Sequence, residues 1–227
     1  MKPSAIILAV LMTSTCSFAQ DGATVFKTRN VAILVYDEVE LLDFAGPGEV
    51  FQQAEFAGKK AFRVYTVAVA SKEITSQQFL KVTAQYSIED CPAPDILVIP
   101  GGNSAAQADN EKLIAWIKTV NQKAEYMLSV CNGVRLLAKT GALDGKTATS
   151  HSGAIDNLAR EFPSVEMIRG KRFVDNGRII TTEGVSAGID GSLYLVGKIL
   201  GKDAAHDVAT QMMYNWKPES LDVLIIQ

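Results

Sequence analysis

Apolar and polar positions fall in blocks along this chain. Val31-Ala32-Ile33-Leu34-Val35-Tyr36 is an unbroken apolar run of strand length, the pattern of a parallel strand covered on both faces. Ile96-Leu97-Val98-Ile99 repeats it, and Glu125-Tyr126-Met127-Leu128 reads as a shorter apolar strand. Phe62 to Ala70, rich in β-branched and aromatic residues, reads as a further strand. Helical stretches lie between these runs. Pro47 suits a first helical position and predicts a helix to about Ala57, stopped by Gly58. Asp109 or Asn110 is placed to cap a helix with Leu113, Ile117 and Val120 on one face. A helix opens near Val134 and ends at Gly141, and another spans His151 to Phe162, closed before Pro163. Ser186 is placed to cap a helix with Ile189, Leu193, Val196 and Leu200 on one face and Gly201 at its end. Asp203 to Trp216 reads as the last helix. Two segments read as strand pairs. Ile74 to Ser87 is expected on the sheet edge, and Asp175-Asn176-Gly177 turns Arg172–Val174 back onto Arg178–Ile180.

This alternation predicts an α/β fold, a doubly wound, mostly parallel sheet sandwiched by helices. No repeat, low-complexity tract or linker interrupts it, so residues 20–227 read as a single α/β domain. Folds of this class place their chemistry at the carboxyl ends of strands. Three such ends carry polar or glycine-rich turns: after Tyr36, after Ile99, and at Cys131.

Residues 1–19 differ from the rest. Lys2, the apolar stretch Ala5–Met12 and Ser17-Phe18-Ala19 have the layout of a cleaved secretory signal. The expectation is a secreted or periplasmic protein with no membrane attachment after cleavage. Cleavage would leave two cysteines, Cys91 and Cys131, and a disulfide between them would silence a nucleophile at Cys131. Composition is ordinary for a globular chain, with 48% hydrophobic and 21% charged residues. The net charge of −3 comes with no Lys/Arg cluster, so a nucleic-acid partner is not indicated.

The sharpest chemical signal is Ser129-Val130-Cys131-Asn132-Gly133. It joins a strand to a helix, and a thiol on such a bend is exposed, near backbone N–H groups that favour an anion. Both effects predict a reactive thiolate at Cys131; the bland alternative is a buried, inert cysteine. Asp37-Glu38-Val39-Glu40-Leu41-Leu42-Asp43 follows the first strand and supplies carboxylates, of which Glu40 and Asp43 share a face if helical. Its bland alternative is a solvated acidic loop. In Pro100-Gly101-Gly102-Asn103, the Gly102 N–H could join that of Asn132 in an oxyanion hole. His151 is a further candidate base, while His206 reads as surface. Two histidines and no Cys-x-x-Cys predict no metal site. Gly145-Lys146-Thr147 lacks the upstream glycine of a phosphate loop, because Thr140 stands there, so no nucleotide cofactor is expected.

Taken together, Val31–Phe51, Asp95–Asn103, Ser129–His151 and Thr182–Asp190 resemble the ThiJ/PfpI superfamily. That resemblance implies a flavodoxin-like, class I glutamine-amidotransferase-like fold. Leu42-Asp43-Phe44-Ala45-Gly46-Pro47, Ser129-Val130-Cys131 and Ala187-Gly188-Ile189-Asp190 are similar to the isocyanide (isonitrile) hydratase branch, and to the ligand domain of certain AraC-type regulators. The resemblance implies Cys131 as nucleophile and Asp43 as its carboxylate, with the Gly102 and Asn132 amides around a bound group. In other branches the carboxylate is a glutamate that matches Glu40. It further implies a small-molecule substrate, a homodimer, and hydration of an isocyanide to an N-substituted formamide. Hydration of methylglyoxal, or a redox- or ligand-sensing role without catalysis, are the alternatives. Asn132, Ser152 and Glu183 depart from the hydratase pattern, which has Thr, an aromatic residue and Gly there. Asn132 also departs from the His of PfpI-type proteases. The regulators continue into a helix-turn-helix where this chain ends at Gln227, so DNA binding is not expected.

Overall fold

The computed structural model describes residues 26–69 and 73–226. The main sheet is built from β1 (Arg29–Leu34), β2 (Phe62–Ala68), β3 (Tyr86–Ser87), β4 (Ile96–Ile99), β5 (Tyr126–Ser129), β6 (Phe173–Asp175), β7 (Ile179–Thr182) and β8 (Val223–Ile225). Their order across it is β8-β6-β7-β5-β4-β1-β2-β3. All neighbours are parallel except the β6–β7 hairpin, so β6 and β8 run against the rest. The fold is therefore the mostly parallel, helix-flanked sheet that the block pattern predicts. Ile96 to Ile99 are fully buried, which is why β4 reads as a continuous apolar run with no polar face.

The helices are α1 (Leu41–Gln53), α2 (Ser104–Ala108), α3 (Glu111–Lys123), α4 (Val134–Lys139), α5 (Ile155–Glu161), α6 (Ala187–Leu200) and α7 (Lys202–Gln211). α1, α6 and α7 pack together as one group, and α2, α3 and α4 as another. From β1 the chain crosses to β2 on one side, then returns to place β4 and β5 on the other. The crevice between the carboxyl ends of β1 and β4 lies at this reversal, where open α/β sheets hold their ligands.

Several elements differ from the pattern-based expectation. α1 starts at Leu41 and encloses Pro47, so the proline lies inside the helix. It lacks the N–H that would bond back to the Asp43 carbonyl. Gly58 does not stop that helix; it sits at φ +74° in a tight turn between Glu55–Phe56 and Lys59–Lys60. Glu73–Ser76 and Leu80–Thr83 pair as their own two-stranded ribbon, and only Tyr86–Ser87 joins the main sheet. His151 precedes α5, and Trp216 follows α7, so neither is helical. Asn110 caps α3 as expected, accepting from Leu113 N. Ser186 precedes α6 without a side-chain cap; its Oγ accepts from Arg172 instead.

Candidate active site

Cys131 stands immediately beyond β5 at φ +59°, in the left-handed region that a non-glycine residue seldom adopts. The surroundings hold it there. Its N–H donates to the Glu183 carbonyl, its carbonyl accepts from Ser150 Oγ at 2.9 Å, and the preceding Val130 N–H donates to the Ile99 carbonyl at 3.0 Å. Cys131 to Gly133 form one 3-10 turn before α4. Gly133 must be small, because a Cβ there would lie 2.2 Å from the Ile99 carbonyl oxygen and 2.5 Å from that of Pro100. This contact lets the elbow close down on the end of β4.

Asp43 reaches the same point from the first turn of α1 and is fully buried. One carboxylate oxygen accepts from Gly101 N and the other from Val185 N, both at 2.9 Å. Cys131 lies beside it: a Cβ on Gly101 would stand 2.8 Å from both Asp43 Oδ2 and Cys131 Cβ. Burial is the main influence on the carboxyl and raises its pKa to about 7; the Gly101 N–H opposes this, the Glu40 charge adds to it, and the Val185 N–H and the thiol oppose it. Burial also dominates at the thiol, and with the Asp43 charge pushes it up to about 12, against the Asn132 N–H. Asp43 thus holds a proton below about 7 and is a carboxylate beside a protonated thiol above it, not the partner of the free thiolate expected from the strand–helix turn. A single 3-10 turn offers little helix field, and Cys131 is only 8% exposed, so desolvation of the anion wins.

The remaining expected residues separate clearly. Glu40 is the N-cap residue of α1, and its carboxylate accepts from Gln77 Nε2 at 2.7 Å. Its backbone N–H donates to the Gly101 carbonyl. Gly102 and Asn132 do come together, but on each other. Gly102 N donates to Asn132 Oδ1 and Asn132 Nδ2 donates to the Gly102 carbonyl, each at 3.0 Å. The Gly102 N–H, expected as an oxyanion donor, is engaged here by a side chain; the backbone N–H of Asn132 favours the Cys131 thiolate. His151 is exposed, and its Nδ1 accepts from Gly153 N. It nonetheless borders the site: a Cβ on Gly184 would lie 2.8 Å from His151 Cδ2 and 3.2 Å from Cys131 Sγ.

Sequence reasoning missed a fourth strand end. The turn after β7 provides the Glu183 carbonyl for Cys131 and the Val185 N–H for Asp43. Glu183-Gly184 after a β-branched run was the available signal. It also missed Tyr36, whose buried hydroxyl is within hydrogen-bond distance of the Pro100 and Gly101 carbonyls, at 2.7 and 2.9 Å, and so fixes the glycine turn. Among the described residues no group of three or more His, Cys, Asp or Glu side chains is placed to hold a metal ion. Cys91 and Cys131 are both free thiols.

A cysteine on a strained strand–helix elbow at the reversal point of a doubly wound sheet, paired with a carboxylate from the first βα turn, defines a class of α/β proteins. The chain belongs to the DJ-1/PfpI family, which it matches over residues 29–198. It is 32% identical to an isonitrile hydratase of Pseudomonas putida over 81% of this chain and 78% of that protein. It is 22% identical to the HTH-type transcriptional regulator GbdR of Pseudomonas aeruginosa, over 82% of this chain but only 51% of the regulator. A crystal structure of a ThiJ/PfpI family protein from Pseudomonas syringae superposes with a TM-score of 0.76 at 28% identity, covering 88% of this chain and 82% of the other.

These comparisons also correct the expected location. The secreted or periplasmic assignment read from residues 1–19 is withdrawn, because no signal peptide is evident there and the family match begins only at residue 29. Those residues lie outside the described ones. Among the described residues no helix is long and apolar enough to cross a membrane.

Proposed function

We propose that this protein is a cysteine-dependent hydratase of small electrophiles, with an isocyanide as its substrate and Cys131 and Asp43 as its catalytic residues. The observation that carries the reading is the buried thiol–carboxylate pair, with both Asp43 oxygens also held by backbone N–H groups. A carboxyl whose proton affinity is raised to about 7 can take a proton from the thiol and return it near neutral pH. The two residues titrate as a unit, so moving the proton to Asp43 removes the negative charge that opposes the thiolate.

The sequence of steps conserves atoms and charge. The sulfur attacks the terminal carbon of R–N≡C, and the proton relayed by Asp43 ends on that carbon, giving the thioimidate Cys–S–CH=N–R. Water adds across the C=N bond. Collapse of the adduct expels sulfur, releases the N-substituted formamide, and returns the proton to the thiol. The narrow terminal carbon of an isocyanide suits a nucleophile on a residue that is only 8% exposed. The similarity to an isonitrile hydratase supports the substrate choice. The family resemblance supports a homodimer, to be checked by light scattering.

The test is the purified full chain with cyclohexyl or 4-nitrophenyl isocyanide, following formamide, beside Cys131→Ala. Turnover that disappears in the variant is expected. A folded wild-type protein without turnover on either isocyanide overturns the substrate assignment, and turnover retained by Cys131→Ala overturns the mechanism.

A further inference from the structure

A cavity of about 570 Å³ opens at the β8 end of the sheet, and no residue of the Cys131 site lines it. α6, α7 and the segment leading into β8 form its walls. Phe173, Tyr194 and Trp216 present aromatic faces to it, and Leu221 and Val223 add aliphatic surface. Small-molecule sites have this size and this mostly apolar lining, with a few placed polar groups that orient the ligand.

The polar groups here are positive or donating. Lys202 lines the cavity and has no ion-pair or hydrogen-bond partner among the described residues. Lys198 lines it as well, with its ammonium held at 2.6 Å by Asp175 and at 2.6 Å by the Gly177 carbonyl. Trp216 is half-buried, and its ring packs 5.1 Å from the His206 ring. Against these cations the lining holds one carboxylate, Glu219. The apolar walls and the unpaired Lys202 ammonium are complementary to one kind of molecule.

We propose that this cavity is a binding site for a small organic acid with an aromatic or branched apolar body and a single carboxylate. The body packs between Phe173, Tyr194 and Trp216, and the carboxylate pairs with Lys202. Binding involves no covalent step and is independent of Cys131.

The chain has two tryptophans, so Trp116→Phe leaves Trp216 as the only indole reporter. Full-length protein with that change is titrated with 4-phenylbutyrate and with its uncharged counterpart 4-phenyl-1-butanol, and calorimetry on the unmodified chain runs alongside. The expected result is a saturable change in Trp216 emission with the acid. The alcohol should bind at least about tenfold more weakly, and Lys202→Glu should weaken the acid by about as much. Cys131→Ala should bind the acid as wild type does. No saturable signal by either method overturns the proposal. Equal affinity for acid and alcohol, or an unchanged affinity in a folded Lys202→Glu protein, also overturns it.

Discussion

At the scale of single residues the proposed chemistry rests on one proton shared by Cys131 and Asp43. Carboxylate Asp43 is needed to accept it, so kcat/KM for an isocyanide should rise with pH through about 7 and then stay level, which a pH–rate profile reads directly. Asp43→Asn should reduce turnover by at least about 100-fold, while Glu40→Gln, at a carboxylate bonded to Gln77, should change it by less than about threefold. The same carboxyl leaves a mark on stability. Folded Asp43 keeps its proton up to about 7, whereas the unfolded chain releases it near 3.8. Between those values the folded state binds more protons, so raising the pH weakens folding. The contribution is complete below the lower value and lost above the higher. The difference in thermal midpoint between wild type and Asp43→Asn should therefore shrink as pH rises across that window. The amide of the Asp43→Asn variant sets a donor against one of the backbone N–H groups, which shifts that difference by an offset but does not alter its slope. A flat difference would show that Asp43 ionises normally.

At the scale of elements the site is a meeting of four strand ends, and glycines decide how closely they approach. Gly101→Ala would bring a Cβ within 2.8 Å of Asp43 Oδ2 and of Cys131 Cβ, and 2.6 Å from Asn132 Oδ1. Its expected signature is a large loss of turnover with a folded protein, read by activity beside circular dichroism. Gly133→Ala meets backbone carbonyls that cannot swing aside, and it should destabilise the fold by about 3 kcal/mol or more. Asn132→Ala removes the reciprocal pair with Gly102, about 2 kcal/mol for two hydrogen bonds, measurable by urea denaturation. The runs that became β1, β4 and β5 were legible because strands covered on both faces need an apolar side chain at every position. The ribbon at Glu73–Thr83 was legible only as a strand pair. Its separation from the main sheet depends on tertiary anchors, such as Thr75 N on Asp37 and Ser76 Oγ on the Val39 carbonyl.

At the scale of the whole molecule an ion pair ties the β7 turn to α6. Arg172 bonds Asp190, which is 3% exposed, and also Ser186, while its backbone carbonyl accepts from Glu183 N. Asp190→Ala would leave that guanidinium without its carboxylate and should cost about 3 kcal/mol in urea unfolding. Since Glu183 and Val185 hold Cys131 and Asp43, turnover should fall in the same variant at temperatures where it remains folded. Unchanged turnover would show that the turn keeps its place without this support.

The sequence by itself determined the layered α/β architecture, because buried strands and amphipathic helices follow from local apolar periodicity. It also marked Cys131 as the elbow residue, because a strand-to-helix turn has a short pattern, and, through the family resemblance, Asp43 as a candidate partner. Tertiary structure decided which carboxylate meets the thiol. Glu40 and Asp43 are close in sequence, but only Asp43 turns inward, where Gly101 and Val185 supply its donors. Tertiary structure also decided the protonation of the pair, since desolvation and the approach of a charge from another element have no local signature. The engagement of Gly102 by Asn132 belongs to the same class, being a contact between two strand ends that only the folded sheet brings together.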